Sequence, residues 1–140
     1  MSSISGQIPA EAPERGSSDG FLRLVLKLDA ILTGVNGLGY LALAPVLHSA
    51  LGYDRSVQYP VGVFLLAYGV VVFVLSARPT VSRPAVAAII ALNAAWFVLS
   101  IVVAATDALS ATVAGTAWLV LQGVVVGAFA LLQAIGLRRS

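Results

Sequence analysis

Four polar side chains stand out in the otherwise apolar stretch LDAILTGVNGLGYLA, residues 28–42: Asp29, Thr33, Asn36 and Tyr40. At about 100° per helical residue, Thr33 falls about 40° from Asp29, Asn36 about 20° to the other side, and Tyr40 about 20° away. One helical face therefore carries a carboxylate, a hydroxyl, an amide and a phenol. Such a set can carry a proton, order a hydrogen-bond chain or grip a polar solute. Nucleophilic catalysis needs a nucleophile, a base and an orienting partner, and no such set accompanies these residues. The chain has no cysteine, which excludes disulfides, thiolate metal sites and thiol chemistry. Its one histidine, His48, cannot build a metal cluster alone and is expected at an interface. There is no glycine-rich phosphate loop and no HExxH motif. No enzyme, cofactor or metal site is expected.

The elements that must position these groups follow from composition. The 140 residues are 59% hydrophobic and 10% charged, with a mean hydropathy of +0.98. A soluble domain is closer to about a quarter charged. So few charges cannot cover a globule of this size, and the lipid bilayer is the expected surrounding. The net charge is only +2, and the basic residues come in ones and twos. They read as topology signals, not as a nucleic-acid patch.

Residues 1–20 are rich in Ser, Gly, Pro and charge, and predict a disordered cytoplasmic tail. The apolar stretch that follows starts too late and runs too long for a signal peptide. Residues 30–53, 56–77, 84–106 and 108–137 contain no Asp, Glu, Lys or Arg. Each exceeds the roughly 18–20 residues that cross hydrocarbon as a helix. Lipid cannot satisfy open backbone groups, so the spans must be helical. The expectation is an all-α membrane protein: a four-transmembrane-helix bundle over residues 21–140, with helices at about 22–47, 60–77, 85–105 and 113–137. Pro60 and Pro84 are placed at first helical positions. Asp107, Ser110 and Thr112 are N-cap candidates for the last helix.

Orientation comes from the basic residues. Arg15, Arg23, Lys27, Arg78, Arg83, Arg138 and Arg139 fall on one side of this topology, and only Arg55 on the other. The positive-inside rule then puts both termini in the cytoplasm of a multi-pass plasma-membrane protein. Tyr53 and Tyr59 suit an outer aromatic belt.

Two internal matches point to a duplication. FLLAYGVVV (residues 64–72) aligns with WLVLQGVVV (118–126), and NGLGY (36–40) with NAAWF (93–97). Either the chain is two copies of one helical hairpin, or Val/Ala/Gly-rich helices match by composition. Counting about 1.5 Å of rise per residue from the cytoplasmic helix ends places Asp29, Asn93 and Tyr68 roughly 10–13 Å deep. Asn36, Ser100 and Gln122 fall roughly 21–22 Å deep. Two polar layers follow, and helix 4 carries a similar stripe through Trp118, Gln122, Phe129 and Gln133. The expected seam comprises Asp29, Thr33, Asn36, Tyr68, Asn93 and Gln122. Gly123 and Gly127 form a GxxxG, which lets helices approach closely inside the bundle or in a homo-oligomer.

Residues 28–42 carry Leu28, Asp29, Ala30, Thr33, Gly34, Asn36, Gly37, Leu38, Tyr40 and Leu41. With the four-helix plan, they resemble a group of small actinobacterial integral membrane proteins of unknown function. That likeness implies a bacterial membrane protein and no particular activity. Four helices with an acid in the first also resemble small multidrug exporters, but the tail and the segment around the acid differ from that family. Two functions are therefore carried forward. The leading expectation is a non-catalytic partner, scaffold or accessory subunit, with the polar seam as interhelical glue worth about 0.6–2 kcal/mol per amide. The alternative is a proton-coupled transporter or exporter of small solutes using Asp29, since an acid inside a membrane is a functional candidate.

Overall fold

The computed structural model describes residues 19–139, so the expected tail lies outside the described residues except for Asp19 and Gly20, which are helical. Five helices follow one another: α1 (Asp19–Ala42), α2 (Ala44–Leu51), α3 (Arg55–Ala77), α4 (Arg83–Thr106) and α5 (Val113–Arg139). No strand occurs among the described residues. Helices α3, α4 and α5 are each long and apolar enough to cross a membrane, and α1 with α2 passes the same test as a pair bent by 94°. The exterior is apolar and the interior partly polar. Leu28, Ile31, Val35, Val70, Val74, Val98 and Leu131 point outward, while Asp29, Gln58, Asn93, Ser100 and Gln133 are buried. That inversion of the soluble pattern is what a lipid solvent selects.

The expected first helix, 22–47, is corrected. It ends at Ala42, because Pro45 lacks the N–H that would continue the ladder. Leu43 becomes the N-cap of a separate α2, with the proline in its first turn. Gly52 closes α2 in the left-handed region at φ 79° and donates its N–H to His48 O. The start of the next helix is also corrected: α3 begins at Arg55, with Pro60 inside it. Tertiary contacts override the proline. The Asp54 carbonyl accepts from Val57 and Gln58 N–H at 3.0 Å each, and the Gln58 side chain ties this first turn to Tyr53 and Ala44. Helix α4 is capped by Ser82, whose hydroxyl accepts from Ala85 N at 3.3 Å. Thr112 Oγ1 accepts from Gly115 N at 3.1 Å in the first turn of α5. Asp107 and Ser110 instead adopt positive φ in the turn after α4.

The helices pair as two hairpins, α1 with α3 and α4 with α5, and α1 also touches α5. In the first hairpin the backbones nearly meet. A Cβ on Gly69 would lie 2.8 Å from Ala30 O, and one on Gly37 would lie 2.8 Å from Gly62 O. In the second hairpin, Gly123 faces Ser100 and Gly127 faces the Phe97 ring. The GxxxG glycines therefore pack within the bundle. The sequence alignment sets Gly34 and Gly37 against Ala91 and Ala94, yet Gly123 and Gly127 meet residues further along α4. The two hairpins pack in different registers. Arginines close both at one end, hereafter the basic end. Arg23 at the start of α1 donates to Ser76 O, Arg78 O and Pro79 O at the end of α3. Arg83 at the start of α4 donates to Leu137 O near the end of α5. Each meets carbonyls that a helix terminus leaves unpaired, with a charge that suits the helix dipole.

Candidate functional site: a buried carboxylate beside an interhelical cavity

Asp29 is 0% exposed, and all four long helices supply its partners. Thr33, one turn along α1, donates to Asp29 Oδ1 at 2.9 Å. Tyr68 Oη on α3 lies 3.0 Å from Asp29 Oδ2. Asn93 Nδ2 on α4 donates to the same oxygen at 3.0 Å, and Gln133 Nε2 on α5 at 2.7 Å. The partners also bind one another. Asn93 Nδ2 donates its other hydrogen to Gln133 Oε1 at 2.9 Å. The Tyr68 hydroxyl lies 2.9 Å from Asn93 Oδ1, so its single proton serves either Asp29 or Asn93. None of the four partners is charged. Three donors and one shared hydroxyl converge on the carboxyl group, so its oxygens are satisfied without a counter-ion.

The structure thus brings together four residues of the expected seam: Asp29, Thr33, Tyr68 and Asn93. It adds Gln133, whose signal was present in the sequence. Gln133 stands eleven residues after Gln122, which returns to nearly the same helical face. Gln122 itself belongs to a second group. Its Oε1 accepts from Trp96 Nε1 at 2.8 Å, and its Nε2 donates to Ser100 Oγ at 2.8 Å and to Leu119 O at 2.9 Å. Asn36 is not bonded to Gln122. It interacts with the Tyr40 hydroxyl, which also accepts from Trp118 Nε1 at 2.9 Å.

Between the two groups lies a cavity of about 410 Å³. Thr33, Asn36, Tyr68, Asn93 and Gln122 supply its polar wall, and Phe64, Trp96, Trp118 and Phe129 its aromatic wall. Phe64 and Trp96 stack at 5.8 Å, bridging α3 and α4. Asp29 stands behind this wall, reached through Thr33, Tyr68 and Asn93. A second cavity of about 170 Å³ continues toward α2 and shares Trp96, Leu99 and Gln122 with the first.

The end of the molecule near α2 is closed differently. Tyr53 Oη donates to Gly115 O at 2.6 Å, and Gln58 Nε2 donates to Tyr53 O at 2.7 Å. Burial pushes the Tyr53 phenol above its usual range, which keeps the proton needed for that bond. His48 Nδ1 lies 2.8 Å from Tyr53 O, so the histidine serves the turn after α2. Beside it, exposed Asp54 accepts from Ser56 Oγ at 2.5 Å, and this bond holds its carboxyl below the usual range. Comparison with known proteins yields no match: no family model, no curated protein and no solved structure aligns with this chain.

Proposed function

We propose that the protein is a small, non-enzymatic carrier in a bacterial cell membrane, which takes a small lipophilic or cationic solute into the cavity between its hairpins. Asp29 is the group that exchanges a proton for that solute. One observation carries this reading: a large interhelical room adjoins a buried carboxylate. The exposed side chains of Phe64, Leu92, Leu99 and Leu121 at its edge leave it open to the surroundings, so that an apolar body can enter this pocket of about 410 Å³. Its size and its mixed aromatic and polar wall are those of a small-molecule site. The distribution of basic residues supports a topology with both termini in the cytoplasm. Purified protein in vesicles should then show saturable, pH-gradient-driven solute uptake, and Asp29→Asn should abolish it while leaving the protein folded. Uptake unchanged in Asp29→Asn would remove Asp29 from the mechanism. Reporter fusions at residue 140 and in the α3–α4 loop should read cytoplasmic, and fusions at Asp54 and Asp107 external.

A second reading has its own support. The Asp29 cluster joins side chains of four helices by hydrogen bonds, and so holds them in register without any ligand. That suits a partner or accessory subunit of a larger membrane assembly, or a homo-oligomer. Affinity purification from native membranes decides it: a stoichiometric partner favours the subunit, and a lone chain favours the carrier.

A further inference from the structure

The hydrogen atoms around the cavity are nearly all committed, and this defines what it can recognise. The Thr33 hydroxyl hydrogen goes to Asp29. The Tyr68 hydrogen goes to Asp29 or Asn93. Both amide hydrogens of Asn93 are used by Asp29 and Gln133, and those of Gln122 by Ser100 and Leu119. What Thr33 and Tyr68 still offer the cavity is lone pairs, and a hydroxyl that donates to a carboxylate is polarised into a better acceptor. Asn36 lines the same wall beside these oxygens. Behind these oxygens stands a carboxylate whose partners are all neutral. Trp96 and Trp118 line the same cavity, and an indole ring attracts a cation placed over its face.

We propose, building on the carrier reading, that the solute is a protonated primary or secondary amine with a compact apolar body. Its N–H groups are taken by the oxygens of Thr33 and Tyr68, and its charge is balanced by Asp29 through that first layer. The N–H requirement separates this site from a general cation site: a quaternary ammonium has the charge but nothing to donate.

The chain's two tryptophans both line the cavity, so intrinsic fluorescence of the full-length protein in lipid nanodiscs reports binding. Three ligands share one apolar cage: aminoadamantane, adamantanol and trimethyladamantylammonium. The amine should change the emission saturably and bind about tenfold more tightly than either of the others, the margin of one charge-assisted hydrogen bond. Asp29→Asn and Thr33→Val should each bring the amine to the level of the alcohol, with thermal melts confirming that the variants fold. If Asp29→Asn does not fold, Thr33→Val and Tyr68→Phe, which keep the carboxylate, decide. A quaternary ion that binds as well as the amine overturns the N–H requirement, and an alcohol that does so overturns the role of charge. Either outcome leaves the carrier reading standing. No saturable change with any of the three overturns the amine proposal, and pH-driven uptake by protein reconstituted in vesicles then tells whether the carrier reading falls with it.

Discussion

The two hairpins solve the same problem with different parts. Each has an arginine in its first helix meeting carbonyls at the end of its second, and each has glycines where helices touch. The first hairpin is backbone on backbone, with Gly37 against Gly62 and Gly69 against Ala30 and Gly34. The second is backbone on side chain, with Gly127 against the Phe97 ring. The first carries the carboxylate and the second carries the amides that receive it, Asn93 and Gln133. A tightly closed pair thus presents a charge to a more yielding pair, and the room between them is where a solute could be accommodated. Rigidity and adaptability are divided between hairpins, not between a core and its loops.

That division can be broken by mutation. The largest effect is expected where the hairpins join. Asp29→Ala strands the donors of Thr33, Asn93 and Gln133, at about 1–3 kcal/mol for each buried group left unpaired, so thermal unfolding in detergent should show a loss of about 3 kcal/mol or more. Asp29→Asn should lose about 1 kcal/mol or less, because its oxygen keeps the shared acceptor position while Thr33 turns to accept from the new amide. Equal melting of wild type and Asp29→Ala would mean the cluster does not join the hairpins. Next comes the contrast in packing. Gly69→Ala should cost about 1–3 kcal/mol, the range for overpacking a rigid contact. Gly127→Ala should cost clearly less, since the Phe97 ring can shift. The reverse order would invert the assignment of rigidity. A smaller effect is expected from Arg23→Gln, about 1 kcal/mol and diminished at high salt. Salt-independent destabilisation would make the arginine a packing residue only.

The smallest effect lies at Asp54, whose lowered pKa comes first from the Ser56 hydroxyl. A carboxyl depressed in the folded state stabilises it above the unfolded value, and that contribution is lost as pH falls through the folded value. Wild type should therefore lose a little stability on acidification that Asp54→Asn does not. Identical acid profiles would deny the carboxylate a part in starting α3.

Sequence reasoning reached furthest where helical geometry is simplest. Asp29, Tyr68 and Asn93 fell into one layer from the rise per residue alone, and the structure bonds them to one another. Gln133 escaped that count because it lies only about 6 Å from Leu137 by rise, and, with Gly136 set against Leu22, its long side chain covers the remaining distance to Asp29. Asn36 was set level with Gln122, but depth says nothing about which neighbour an amide chooses, and Tyr40 was nearer. The break at Leu43 was hidden in an unbroken apolar run, although Pro45 marked it. At Pro60 the opposite happened: a proline that reads as a helix start is held inside α3 by Gln58, a contact no local pattern reveals. The cavity was not legible at all, because a void belongs to the space between helices and to no residue.

The order of the donors along the chain has a consequence for biogenesis. Thr33 follows Asp29 by 4 residues, Tyr68 by 39, Asn93 by 64 and Gln133 by 104. A ribosome therefore delivers the acid long before its last partner. The nascent first hairpin has a hydroxyl and a phenol as the carboxyl group's companions from this cluster, and its glycine contacts are the packing available to it meanwhile. Synthesis of α5 then supplies the final amide. Synthesis through α5 and closure of the neutral donors around the buried carboxyl group are thus tied together, and a product truncated before Gln133 is left with an incompletely satisfied acid.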